Sequence, residues 1–184
     1  MKNILVLGSA GQVGAYLVNE LNNRGYNAAT FDVVDNVTED LRYNKQLITK
    51  KIKESDFVFF LAFDVGGSRY LSKYQHTFDF INNNVKIMDN VFSVLKEVPR
   101  PFIFASSQMS NMSYSPYGVL KAIGEQYTKV LGGRTVKFWN VYGIEHDLEK
   151  SHVITDFILK ARDTGIINML TTGQEEREFL YADD

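Results

Sequence analysis

A chain of 184 residues, 45% hydrophobic and 23% charged, has the composition of a globular protein of one domain, or of one domain and part of a second. Its formal charge of -2 offers no basic field to nucleic acid, and the lack of cysteine excludes a disulfide framework, a thiolate zinc site and a thiol nucleophile. His76, His146 and His152 are not spaced as metal ligands, so no metal is expected.

Ile4 to Leu7 is a continuous apolar run ending at Gly8, the pattern of a strand buried on both faces in a parallel sheet. It is too short for a signal peptide or a membrane span, so a cytoplasmic protein without a membrane partner is expected. Val13, Leu17, Val18 and Leu21 recur at helical spacing, and Gly25 ends that helix. A second strand runs from Asn27 to Phe31, Leu47, Ile48 and Ile52 mark a helix, and Phe57 to Ala62 is a third strand. Phe80 to Val94 is helical through Ile81, Val85, Met88, Val91 and Phe92. After Pro99 and Pro101, Phe102 to Ala105 is a fourth strand, and Tyr117 to Leu131 is a helix stopped by Gly132-Gly133. Thr135 to Trp139 reads as a strand, Val153 to Ala161 as a helix and Ile166 to Leu170 as a last strand. This alternation argues for an α/β chain whose parallel sheet carries helices on both faces.

Gly8-Ser9-Ala10-Gly11-Gln12-Val13-Gly14 joins the first strand to the first helix. In such a loop the first glycine permits the turn, the second lets backbone approach a pyrophosphate and the third allows close helix–strand packing. Gly8, Gly11, Gln12, Val13 and Gly14 are therefore expected to cradle a dinucleotide, its phosphates on the amides of the helix N-terminus. Asp32 ends the second strand, 24 residues after Gly8, where a carboxylate accepts from ribose hydroxyls and repels a 2′-phosphate. That favours NAD over NADP. The fold implied is a Rossmann-type doubly wound sheet over residues 1–143. A more polar, less regular region follows, 144–184, expected to be part of a second, incomplete domain.

Tyr117 and Lys121 stand at i and i+4, on one face of their predicted helix. A neighbouring ammonium favours phenolate, so the Tyr117 pKa is expected to fall and the phenol to serve as a base. Lys121 can also hold the nicotinamide ribose. Ser106-Ser107 follows the fourth strand at the carboxyl edge of the sheet, where a hydroxyl can bond a reacting oxygen.

Taken in order, these segments resemble the extended short-chain dehydrogenase/reductases, and within them the NAD-dependent nucleotide-sugar epimerase/dehydratase group. Ser115-Pro116-Tyr117-Gly118-x-x-Lys121, continuing to Glu125, is the most specific match. The resemblance implies that Ser107, Tyr117 and Lys121 are catalytic. It implies that Asp40-Leu41 flanks the adenine and that Leu61-Ala62-Phe63, similar to a Leu-Ala-Ala step, lies beside the cofactor. It also implies that Asn84, in Asn83-Asn84-Val85, and Asn140, in Phe138-Trp139-Asn140-Val141-Tyr142-Gly143, contact the substrate. Arg177 to Asp184 resembles a late strand of the substrate domain, which implies that 144–184 is a partial substrate-binding region. The implied reaction is epimerisation of a nucleotide sugar by transient hydride transfer to NAD. The alternatives are a reductase or dehydrogenase of the same fold on another carbonyl compound, and a non-catalytic dinucleotide-binding regulator. Asp64-Val65-Gly66-Gly67-Ser68 resembles the Val-Gly-Gly stretch of enzymes acting on GDP-sugars. The resemblance further implies a homodimer through helices 80–97 and 117–131.

Four departures qualify it. Only ten steps separate Ser107 from Tyr117, a short loop for the family. Gln108-Met109 and Ser110-Asn111 replace the usual small residues and Tyr-Gly, and no acidic pair follows the serine, which argues against dehydration. Lys137 stands where an Arg is common. The chain also stops at Asp184, so cofactor binding is expected to survive while the sugar is poorly enclosed.

Overall fold

The computed structural model describes residues 2–145, 147–169 and 171–184. Five parallel strands, β1 (Asn3–Leu7), β2 (Asn27–Phe31), β3 (Phe57–Phe60), β4 (Phe102–Ser107) and β5 (Arg134–Phe138), form the sheet in the order β2-β1-β3-β4-β5. Leu5 lies opposite Ala29 of β2 on one side and Val58 of β3 on the other. The order therefore reverses at β1, and the crevice beyond the carboxyl ends of β1 and β3 is where ligands of open α/β sheets bind.

Although the strands read as unbroken apolar runs, their side chains divide by the two-residue period of the pleat. Leu5, Leu7, Val58, Phe60, Phe102 and Phe104 enter the larger core. There they meet α2 (Lys45–Lys53), α4 (Phe78–Glu97) and α5 (Pro116–Val130). Phe60, Phe92 and Phe104 pack with ring centres 5.2 to 5.7 Å apart. Each such ring withdraws apolar surface worth about 2 kcal/mol or more. Ile4, Val6, Phe57 and Phe59 face the other way, toward Leu17, Val18 and Leu21 of α1 (Gln12–Asn23). Helices thus cover both faces unequally, and most of β5 is exposed.

The helix ends follow their sequence signals. Asn44 caps α2 by accepting from the Leu47 amide at 3.1 Å, Thr77 caps α4 through the Phe80 amide at 3.3 Å, and Ser115 caps α5 ahead of Pro116. Two further helices are α3 (Ser68–Tyr74), which the sequence reading passed over, and α6 (Val153–Thr164). The expected strand at Ile166 to Leu170 is not formed: residues 166–169 are exposed without regular structure, and Leu170 lies outside the described residues. Without a neighbouring strand to pair with, an apolar run has no ladder to join. Instead β6 (Asn140–Tyr142) pairs in parallel with β7 (Phe179–Tyr181), across the expected boundary at 143.

Candidate functional site

The glycine loop is held by contacts that explain its residues one by one. Gly8 has a φ of +90°, in the region glycine favours, and a Cβ there would stand 2.6 Å from the Ala62 nitrogen. A Cβ on Gly14 would stand 2.1 Å from the Gly8 carbonyl oxygen, so only glycine lets α1 start against the loop. Gly11 is different: it is exposed, and the nearest protein atom to its Cβ position is 3.4 Å away. Its bare backbone faces solvent and not packed protein. Ser9, which the sequence reading missed, ties the loop to β2 by accepting from the Phe31 amide at 3.1 Å. A short hydroxyl immediately after the first glycine was the signal for it.

Asp32 stands beside the same loop. Its carboxylate accepts from the Ala10 amide and from the Val34 amide, both at 3.0 Å. No side chain caps the first turn of α1, whose leading amides have no partner within the helix. The Gln12 side-chain nitrogen is buried and also without a hydrogen-bond partner among the described residues. A buried amide donor left unpaired costs about 1–3 kcal/mol, and a bound anion relieves it. Unpaired donors, an exposed glycine backbone and a carboxylate at the second strand end together fit a dinucleotide.

The residues after β3 are packed more tightly than their motif suggested. The Leu61 and Ala62 amides both donate to the Leu7 carbonyl at 2.9 Å, which closes the crevice wall. Asn84 is fully buried, accepts from the Asp64 amide at 2.7 Å and donates to the Asp64 and Phe80 carbonyls at 3.0 Å. Both side-chain atoms of its amide are therefore engaged with backbone, so in this structure Asn84, expected as a substrate contact, fixes the loop at Asp64. Asp40 is likewise engaged, accepting from the Arg42 guanidinium at 2.7 to 3.2 Å, and that guanidinium holds its carboxyl below the usual range. Leu41 turns into the large core, so it flanks apolar side chains there. Gly66 and Gly67 answer to packing: a Cβ on Gly67 would stand 2.1 Å from the Ser151 carbonyl oxygen.

Ser107, Tyr117 and Lys121 do come together, at the carboxyl end of β4. Gly118 makes this possible, since a Cβ there would lie 2.1 Å from the Met109 carbonyl oxygen of the 3-10 turn after Ser107. The Ser107 hydroxyl accepts from the Met109 amide at 3.2 Å. Next to it, Ser106 donates to Glu125 at 2.6 Å, and Glu125 pairs with Lys137 at 3.2 Å. Lys137 donates in turn to Ser110 at 2.9 Å, so one polar chain joins β4, α5, β5 and the turn. Burial pushes the Glu125 carboxyl up, but the hydrogen bonds from Ser106, Ser110 and Lys137 outweigh it and hold the group low.

The electrostatics of Tyr117 reverse the expectation. Burial pushes its phenol up to about 12, offset only in part by the nearby Ser107 hydroxyl. Lys121 does not lower it. Its ammonium is fully buried, donates to the Ala105 carbonyl at 2.7 Å and lies 3.8 Å from the centre of the Phe63 ring, but 5.8 Å from that of Tyr117. Burial also draws the Lys121 ammonium down to about 7. Phe63 in turn packs edge-on against Tyr117, ring centres 5.8 Å apart.

Asn140 is on β6, two residues after the Phe138 that pairs with Ser107, and donates to the Glu178 carbonyl at 3.0 Å. Among the described residues no group of acidic or histidine side chains is gathered to hold a metal, and no helix is long and apolar enough to cross a membrane. His146 lies outside the described residues.

Comparison with known proteins agrees with this layout. An L-lactate dehydrogenase of Mycoplasma pneumoniae is 29% identical over 133 residues, covering 70% of this chain and 40% of that protein. An ADP-L-glycero-D-manno-heptose-6-epimerase of Alkalilimnicola ehrlichii is 26% identical, covering 98% of this chain and 68% of that protein. Among solved structures, a GDP-mannoheptose C4 reductase from Campylobacter jejuni with NADP bound superposes with a TM-score of 0.73 at 24% identity. The superposition covers 100% of this chain and 69% of that one, and it shows a common fold. The family model for NAD-dependent epimerases and dehydratases matches residues 4–184, and the chain belongs to that family.

Proposed function

We propose that the chain binds NAD in the crevice beyond β1 and β3 and carries the redox half of a nucleotide-sugar epimerase. The observation that carries this reading is that the glycine cradle, Asp32 and the buried Ser107–Tyr117–Lys121 cluster all lie at the carboxyl edge of a single sheet. Gly8, Gly11, Gln12, Val13 and Gly14 would hold the pyrophosphate, Asp32 the adenosine ribose, and Leu61 and Ala62 the wall beside them. Once bound, the nicotinamide supplies a reversible hydride acceptor. Tyr117 would take the proton of a sugar hydroxyl, Ser107 would orient that oxygen and Lys121 would hold ribose hydroxyls. Because its pKa is raised by burial, Tyr117 needs a cation or an anion-stabilising donor nearby before it can act as a base at neutral pH.

Asp32 favours NAD, because a carboxylate beside the loop repels a 2′-phosphate. A GDP-linked sugar is the substrate class favoured by the Val65-Gly66-Gly67 stretch, and the GDP-mannoheptose reductase of the same fold supports it. Asn140 stays a candidate substrate contact, and residues 144–184 a partial substrate region after a cofactor domain of 1–143. The exposed Ile81, Val85, Val119, Ile123 and Tyr127 of α4 and α5 support a homodimer through those helices.

A reductase is the second reading, favoured by the same structural neighbour. Incubating the protein with nucleotide sugars and NAD, or with their keto derivatives and NADH, and resolving the sugars by ion-exchange chromatography separates the two. Interconversion of sugar epimers without net change in NADH absorbance supports the epimerase. Stoichiometric loss of NADH absorbance with a single new product supports the reductase. No change in either, with Tyr117→Phe behaving as the parent, removes both.

A further inference from the structure

Lys121 and Tyr117 share one cover, the side chain of Phe63. The ring lies face-on to the Lys121 ammonium at 3.8 Å and edge-on to Tyr117 at 5.8 Å. Lys121 is left 3% exposed, and besides the ring its close partner is the carbonyl of Ala105. Phe63 itself is only half-buried. The backbone on both sides of it is pinned, Ala62 by its amide on the Leu7 carbonyl at 2.9 Å and Asp64 by Asn84 on both its amide and its carbonyl.

We propose that Phe63 is a gate: its ring must rotate away before any hydroxylated ligand can reach Lys121 and Tyr117, and its size sets how readily the pair is reached. The ligand class, ribose or sugar hydroxyls, rests on the function proposed above, whereas the gate itself rests on the packing alone. Since the flanking backbone is fixed by Leu7 and Asn84, opening is a side-chain rotation and not a loop movement. The ligand-competent form is therefore a minor rotamer, and apparent affinity is reduced by its population. An alanine at 63, the small residue of the Leu-Ala-Ala step, would leave the pair open.

The direct test is acetylation of the purified full chain by acetic anhydride without added cofactor, followed by peptide mass spectrometry. The rate at Lys121 is read against the exposed Lys129 of the same helix. Phe63→Ala is expected to raise that ratio about 10-fold or more, and Phe63→Tyr to keep it near the parent value. Circular dichroism melting of each variant separates gate opening from unfolding. Phe63→Leu, which keeps much of the apolar volume, serves if the alanine variant does not fold, with an intermediate ratio expected. A ratio unchanged in folded Phe63→Ala or Phe63→Leu overturns the proposal.

A fluorescence titration with NADH then reads the consequence, a lower Kd in Phe63→Ala than in the parent. An equal Kd in the two proteins overturns the proposal. If acetylation rises but neither protein binds NADH or NADPH, the gate stands and the proposed cofactor falls.

Discussion

The ammonium of Lys121 donates to the carbonyl of Ala105 at 2.7 Å, in a pocket where it is fully buried. Burial draws its pKa from 10.5 to about 7. Between these values the unfolded chain binds a proton that the folded chain does not, so stability rises with pH across that window. Lys121→Met removes the titration and keeps an apolar stem. The variant is expected to be more stable than the parent near pH 6, by a few kcal/mol at most once relaxation around the charge is allowed for. Its advantage should shrink steadily toward pH 9. Urea melts of both proteins at the two pH values check this.

A different geometry governs the glycine loop. Gly14→Ala forces a Cβ to within 2.1 Å of the Gly8 carbonyl oxygen, a backbone atom that cannot swing aside. A loss of about 2–4 kcal/mol is expected, together with loss of dinucleotide binding. Gly132→Ala is the control. It has a φ of +74° but nothing within 4 Å, so about 1 kcal/mol and no change in binding are expected.

Gly118→Ala tests how the Ser107–Tyr117–Lys121 cluster is assembled. The methyl would meet the Met109 carbonyl and part α5 from the turn that follows Ser107. Tyr117 and Ser107 would separate, so turnover should fall by at least 100-fold, and by more than NADH affinity, which loses only the Lys121 contact while the glycine loop stays in place. Single-turnover and binding measurements on one preparation distinguish the two.

The apolar faces of α4 and α5 carry the dimer proposal. Ile123→Glu places a charge on an exposed apolar position and is expected to give a folded monomer. Light scattering at high concentration reads the mass, and an unchanged mass for parent and variant would count against this interface.

Much of the fold could be read along the chain because its signals are local. β2 is bounded as the sequence indicated, and the Gly8 turn and the caps of α2 and α5 follow from their own residues. α3 was missed because it has only seven residues and follows two glycines that read as a loop. The β6–β7 pairing joins segments 39 residues apart from start to start, which no local pattern encodes. At the site, the residue types of Ser107, Tyr117 and Lys121 were legible, whereas their electrostatics were not. A Tyr–Lys spacing of four residues says the two share a face, but the pKa of each depends on its burial, in which Phe63 packs against both. The same holds for Asn84: the sequence shows an amide on a helix, and only the fold shows that Asp64 and Phe80 consume it.

The central claim, that the Gly8–Gly14 cradle with Asp32 binds NAD, is tested most directly by fluorescence titration of NADH and NADPH against the parent protein and Asp32→Ala. The parent is expected to bind NADH at least 10-fold more tightly than NADPH, and Asp32→Ala to narrow that ratio by weakening NADH and relieving repulsion of the 2′-phosphate. Tighter binding of NADPH by the parent, or no binding of either dinucleotide, would contradict it.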